Sequence, residues 1–222
     1  MTEVPKRIPI TGEPDLSPYA DLFIDSSFEV SDRTVAANLL KFCENISDAA
    51  VLDVGTGAAN IPIYLAQARK GWRITGIDVS PHMLDVARRN IERAGLMHAI
   101  ALARCSTHQI PAPSGSFDVV LCNGVLHYVD DVDEFWRELV RVAKPGATVL
   151  VRDLKRRAAQ AQEVTAASPS TGSYPALLAN QFRTASLAAY SPEEVRQQLK
   201  RAGLERLTVT SDERTFEVFG QL

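Results

Sequence analysis

Hydrophobic and polar positions alternate between two periods along this chain, and the switching is regular from about residue 50 onward. Val51–Val54, Arg73–Ile77, Ala99–Ala103, Phe117–Cys122 and Ala147–Val151 are short, nearly unbroken apolar runs of strand length. Between them the spacing becomes helical over Ile61–Arg69, Pro81–Ala94 and Val132–Ala143. Pro81 suits a first helical position, Gly95 a helix stop, and Lys144-Pro145-Gly146 closes the third helix. Strands that are apolar on both faces and alternate with helices predict a parallel sheet covered on both sides.

The flanks depart from this rhythm. Four prolines between residues 1 and 18 predict an extended or irregular arm. Helical spacing over Ser31–Ile46 follows, with Ser31 as N-cap and Val35, Leu39, Leu40 and Phe42 on one side. Lys155–Ala189, rich in Ala, Ser and Gln, predicts an insertion of one or two helices. Ser191-Pro192-Glu193-Glu194 then opens a helix that runs to Ala202 and stops at Gly203. Leu204–Thr210 and Thr215–Gly220 predict a closing antiparallel strand pair. The chain is expected to be one domain: residues 1–47 as an N-terminal lid and helix, 48–154 as a ligand-binding core, 155–189 as a helical insertion, and 190–222 as a helix and strand pair.

Composition narrows the partners. A chain of 222 residues with 45% hydrophobic content suffices for one substantial core. A net charge of −3 gives no electrostatic reason to expect nucleic acid or an anionic membrane. No apolar run approaches the roughly 18 residues a spanning helix needs, and no secretory leader pattern opens the sequence. The three cysteines, Cys43, Cys105 and Cys122, carry no metal-ligand spacing and read as reduced thiols. A cytoplasmic protein with no metal is expected; its oligomeric state is not legible.

The chemistry concentrates in "AAVLDVGTGAAN", residues 49–60. A strand that ends in Gly-x-Gly before a helix lets backbone approach a ligand closely, because glycine has no Cβ. The generic candidate is a dinucleotide, although Asn60 stands at the third glycine position of that motif. Asp78, ending the second strand in "ITGIDVS", is placed for ribose hydroxyls. These residues indicate a nucleoside-containing cofactor without saying which one.

The succession decides further. Asp53 completes D-x-G-x-G; "SPHML" follows Asp78; "IPAPSGSFDVVLCNGVLHYVDD" and "FWRELVRVAKPGATVLVRDL" come next, then "SLAAYSPEEVRQQLKRAGLERLTV". Over roughly residues 30–220 this resembles the class I S-adenosylmethionine-dependent methyltransferases, in particular the small bacterial type 11 group that includes quinone C-methylating enzymes. The resemblance implies an α/β, Rossmann-like, doubly wound sheet of seven strands in the order 3-2-1-4-5-7-6, with the last strand antiparallel. It implies S-adenosylmethionine as cofactor and S-adenosylhomocysteine as product. Gly55 and Gly57 would pass the methionine part, and Asp53 would steer its ammonium. Asp78 would hold the ribose, Val79 and Met83 would pack on adenine, and Asn123 would present backbone to the methionine end. Two positions depart from the pattern: Ala59 replaces a glycine, and Cys105, Ser106 and Thr107 stand where an acid usually accepts the adenine amino group.

Transfer from a sulfonium needs a base only when the acceptor must lose a proton. His127 and Tyr128, just past the fourth strand, are the best-placed candidates, with His108 behind them. Tyr19, Phe23, Tyr174 and Phe182 offer aromatic walls for an acceptor, and Arg152 and Arg183 offer anion partners. Two alternatives stay open on sequence alone: a cofactor-binding protein with lost or altered transfer, and a nicotinamide-dependent oxidoreductase.

Overall fold

The structure, a computed structural model, describes residues 4–10, 26–157 and 176–222, with side chains described from residue 31 in the first helix and from residue 182 in the fifth. Seven strands form one sheet: β1 (Ala50–Val54), β2 (Arg73–Asp78), β3 (Ile100–Arg104), β4 (Phe117–Asn123), β5 (Ala143–Leu154), β6 (Thr208–Ser211) and β7 (Thr215–Gln221). Their order is β3-β2-β1-β4-β5-β7-β6, with β1 to β5 parallel and β7 antiparallel to both β5 and β6. The expected order and the antiparallel last strand are both found.

Six α-helices lie among the described residues: α1 (Ser26–Phe42), α2 (Asn60–Ala68), α3 (Pro81–Arg93), α4 (Val132–Val142), α5 (Ala176–Ala188) and α6 (Pro192–Arg201). The strands alternate strictly between two cores, as a pleated sheet covered on both faces must. Leu52, Val54, Val120, Cys122, Val149 and Val151 meet Phe135, Trp136 and Leu139 of α4 and Val195 and Leu199 of α6. Val51, Val119, Leu121 and Leu150 meet Val35 and Leu39 of α1, Ile61 and Leu65 of α2, and Ala87 and Ile91 of α3. The sheet is therefore doubly wound, and loops from the carboxyl ends of β1, β2, β4 and β5 gather at one edge. Among the described residues no helix is long and apolar enough to cross a membrane.

Three boundaries differ from expectation. The first helix opens at Ser26, so Ser31 is not its cap; the Ser31 hydroxyl instead accepts a hydrogen bond from Arg152. Leu204 and Leu207 are buried in a turn that follows α6, with Leu204 N–H bonded to Leu199 O and Leu207 N–H to Leu204 O, so β6 starts only at Thr208. Lys144-Pro145-Gly146 lies inside β5 rather than closing α4. Ladder pairing passes from Phe117–Ala143 to Val119–Thr148, and the bulge absorbs the residues between. Of the 155–189 insertion, one helix, α5, falls within the described residues.

Candidate active site

The turn between β1 and α2 must reverse the chain within five residues, and it does so with left-handed backbone at Gly55 (φ 73°), Gly57 (φ 52°) and Ala59 (φ 63°). A Cβ on Gly55 would stand 2.1 Å from Val125 Cγ2, so this position admits only glycine. A Cβ on Gly57 would touch only Met83 Cε, at 3.4 Å, so the missing side chain leaves a recess above that methionine. The turn is fastened to β2: Gly55 and Thr56 both donate to Ile77 O. Gly57 donates to Asp78 Oδ2 at 3.0 Å, and Ser80 donates to Asp78 Oδ1 at 2.9 Å. Asp78 thus joins the glycine turn to the start of α3, where Ser80 caps the helix by accepting from Met83 N–H. Each Asp78 oxygen keeps a second lone pair, enough for two ribose hydroxyls.

Carboxylates converge beneath the turn. Asp53 is 2% exposed, and burial pushes its pKa up to about 7; the nearby Thr56 side chain tempers the effect, while Asp32 and Asp78 add to it. Burial also raises Asp78, against the lowering influence of the Ser80, Gly57 and Val79 amides. Asp32, on α1, is raised by burial and lowered by its bond from Asn60 Nδ2 (3.0 Å) and by Arg152. The nearby cation Arg152 is itself paired with Glu217 (3.5 Å) and donates to Ser31 Oγ and Asn123 Oδ1. Asn123 and Arg152 are register partners at the carboxyl ends of β4 and β5. Burial thus raises the pKa of all three carboxyls, Asp53, Asp78 and Asp32.

On the other side of Asp78 lie the residues expected at adenine. Met83 is buried against Ala58 and Val86, and Val79 is half-buried. Cys105 N–H donates to Asp78 O, and burial, with Asp78 and Glu138 nearby, raises its thiol. Ser106 is exposed, and its hydroxyl accepts from His108 N–H at 3.2 Å, closing a local turn. The loop beyond is held by Glu138, which accepts from Ile110 N–H at 2.7 Å and pairs with Arg141.

Past β4 the chain makes a single 3₁₀ turn, Leu126–Tyr128. Here His127 is 5% exposed, and Asp153, from the end of β5, is 1% exposed. Asp153 Oδ2 accepts from His127 N–H at 3.0 Å, and Oδ1 lies 2.7 Å from His127 Nδ1. A carboxylate only accepts, so in the neutral ring Nδ1 carries the hydrogen and Nε2 is left as a bare lone pair. His127 Nε2 is buried and makes no hydrogen bond among the described residues. A buried polar atom left without a partner in this way is uncommon in a folded chain. The Tyr128 ring lies 4.1 Å from the imidazole. His108 is turned away, toward Asp130 and the Asp131 carbonyl. Tyr19, Phe23 and Tyr174 lie outside the described residues; Phe182 and Arg183 are on α5. Asp153 went unremarked in the sequence, because 26 residues separate it from His127.

Residues 52–151, which include the glycine turn, Asp78 and the His127 turn, match the family model of a methyltransferase domain. Over that stretch, just under half of the chain, the sequence is similar to methyltransferase domains. Among similar curated proteins, the ajmaline N-methyltransferase of Rauvolfia serpentina is 31% identical over 46% of this chain and 34% of its own length. The demethylmenaquinone methyltransferase of Listeria welshimeri is 36% identical over 46% of this chain and 44% of its own. The chain thus spans less than half the length of these relatives. In fold, the domain is similar to an S-adenosylmethionine-dependent methyltransferase from Aquifex aeolicus, with a TM-score of 0.68 at 23% identity, covering 94% of this chain and 99% of that one.

Proposed function

We propose that this protein transfers a methyl group from S-adenosylmethionine to a small-molecule acceptor, with His127 as the general base. The observation that carries the reading is the His127–Asp153 pair, a buried imidazole whose Nδ1 is fixed by a carboxylate and whose Nε2 has no hydrogen-bond partner among the described residues. When bound, S-adenosylmethionine supplies a methyl group already activated by a sulfonium, whose S–CH₃ bond breaks as the bond to the acceptor forms. The site fits that cofactor. Gly57 opens a recess over Met83, Asp78 has spare lone pairs for the ribose, and Asp53 with Asp32 would meet an ammonium group that relieves their mutual repulsion.

The chain's own residues then have two tasks. The first is positioning, since holding reactants in line accounts for much of the acceleration of such a displacement. Asn123 and Arg152, at adjoining strand ends, border the methionine side, and Tyr128 borders the acceptor side together with the α5 segment. The second is proton removal. A bare Nε2 accepts the proton of a hydroxyl or enol acceptor, and Asp153 stabilises the imidazolium that forms; an acceptor with no proton to lose would need neither. Cys105 and Ser106 are assigned to the adenine edge.

The test is transfer of labelled methyl from S-adenosylmethionine across a panel of small phenols, enols and amines. Product should appear with an O–H or enolic acceptor. His127→Gln should lower kcat by roughly 100-fold or more, as removal of a positioned base does, and leave S-adenosylhomocysteine affinity within about twofold. Asp153→Asn should lower kcat as well, since an amide cannot accept from both His127 nitrogens. Equal turnover of wild type and His127→Gln would refute the base.

A further inference from the structure

His127 is gripped from a third direction that the sheet does not supply. Asp153 takes its amide and its ring, but the 3₁₀ turn is one turn long and leaves its final carbonyls without partners inside the helix. The guanidinium of Arg7, from residues 4–10, reaches them: Nη2 donates to His127 O (3.5 Å) and Val129 O (3.4 Å). The same guanidinium donates from Nε to Ala188 O, the last residue of α5, at 2.6 Å. It also lies 4.1 Å above the ring of the buried Tyr190, whose hydroxyl donates to Val129 O.

The segment that carries Arg7 is held almost entirely by hydrogen bonds. Ile8 N–H donates to Leu187 O, and the buried Arg156 donates from Nε to Pro5 O, from Nη1 to Ala189 O and from Nη2 to Glu194. Lys6, Ile8 and Pro9 are exposed, so little apolar surface anchors it. Segments of this kind open locally at low free energy.

We propose that Arg7 is a positioning residue for methyl transfer, a latch that ties the end of α5 to the His127 turn and so completes the acceptor side of the site. The inference rests on the reading of His127 as base. With Arg7 in place, His127 is fixed at its amide, ring and carbonyl, and its Nε2 stays enclosed. Without it, the His127 carbonyl turns to water, the Val129 carbonyl keeps only the Tyr190 hydroxyl, and α5 loses this tie to the turn. Lysine keeps the charge but not the planar fork that serves two segments and stacks on Tyr190.

Hydrogen–deuterium exchange on the full chain, with histidine-ring nitrogen NMR, tests this without an acceptor. Arg7→Ala should raise exchange of the amides of residues 126–129 and 185–189 by roughly tenfold, the effect of losing one or two net hydrogen bonds. It should also shift or broaden the His127 Nε2 resonance. Titration with S-adenosylhomocysteine should give an affinity within about twofold of wild type, because Arg7 touches no residue of the glycine turn. Arg7→Lys should restore less than half of the lost protection. Unchanged exchange and an unchanged ring signal in Arg7→Ala would overturn the latch, and full restoration by lysine would overturn the two-segment bridge. These readouts stand apart from turnover, so a panel that yields no product would count against the base and not against the latch.

Discussion

Asp53 ties the energetics of the site to its ligand, and the consequence is a stability that falls as pH rises. An unfolded Asp53 ionises near 3.8, whereas in the folded chain its pKa is about 7. Between these values the unfolded state has lost the proton and the native state keeps it, so each pH unit weakens folding by roughly 1.4 kcal/mol. Below the unfolded value both states are protonated and the effect vanishes; above about 7 both are ionised and the loss is complete. Asp53→Asn removes this titration while keeping the side chain's shape. Relative to wild type, the variant should therefore gain about 3 kcal/mol between pH 5 and pH 8, measured by urea unfolding at each pH. Carboxylates held below their usual range, such as Asp118, Glu138 and Glu194, act with the opposite sign and at lower pH, and the variant-minus-wild-type difference cancels them. A cationic ligand reverses the penalty: S-adenosylmethionine should bind wild type more tightly as pH rises toward 7, releasing a proton that calorimetry in buffers of different ionisation enthalpy would detect. A stability difference independent of pH would refute the reasoning.

Three further variants have distinct expected outcomes. Gly55→Ala should destabilise by about 3 kcal/mol, combining left-handed strain with the collision against Val125. Gly146→Ala, at φ 80° with nothing within 4 Å of a Cβ, should cost only the strain, about 1 kcal/mol; thermal unfolding of both compares them directly. Asp78→Ala should weaken S-adenosylhomocysteine at least roughly tenfold, because it removes a charged acceptor and frees the Gly57 and Ser80 amides. Unchanged affinity in the folded variant would show that Asp78 does not hold the ribose.

What the sequence disclosed depended on how local the signal was. Strands such as Val119–Cys122 were legible because a strand buried on both faces needs an unbroken apolar run, and the structure places alternate residues in opposite cores. The Gly55–Gly57 turn and Asp78 were legible because strand, turn and acid lie within one βαβ unit. Strand order came from the resemblance, not from periodicity. Leu204 and Leu207 looked like strand because their burial does not say what geometry buries them. Asp153 and Arg7 were silent for another reason: they are 26 and 120 residues from His127, and only the sheet register and the docking of residues 4–10 bring them to it. Ser106 marked a real departure, but its exposure and its bond from His108 were beyond the reach of spacing.

The most direct test of the central claim is calorimetric titration of the full chain with S-adenosylmethionine, S-adenosylhomocysteine and NAD at neutral pH. Binding of both adenosyl ligands at one shared site, weakened together by Asp78→Ala and accompanied by proton release with S-adenosylmethionine, is the predicted result. Binding of NAD with no heat from either adenosyl ligand would contradict the account.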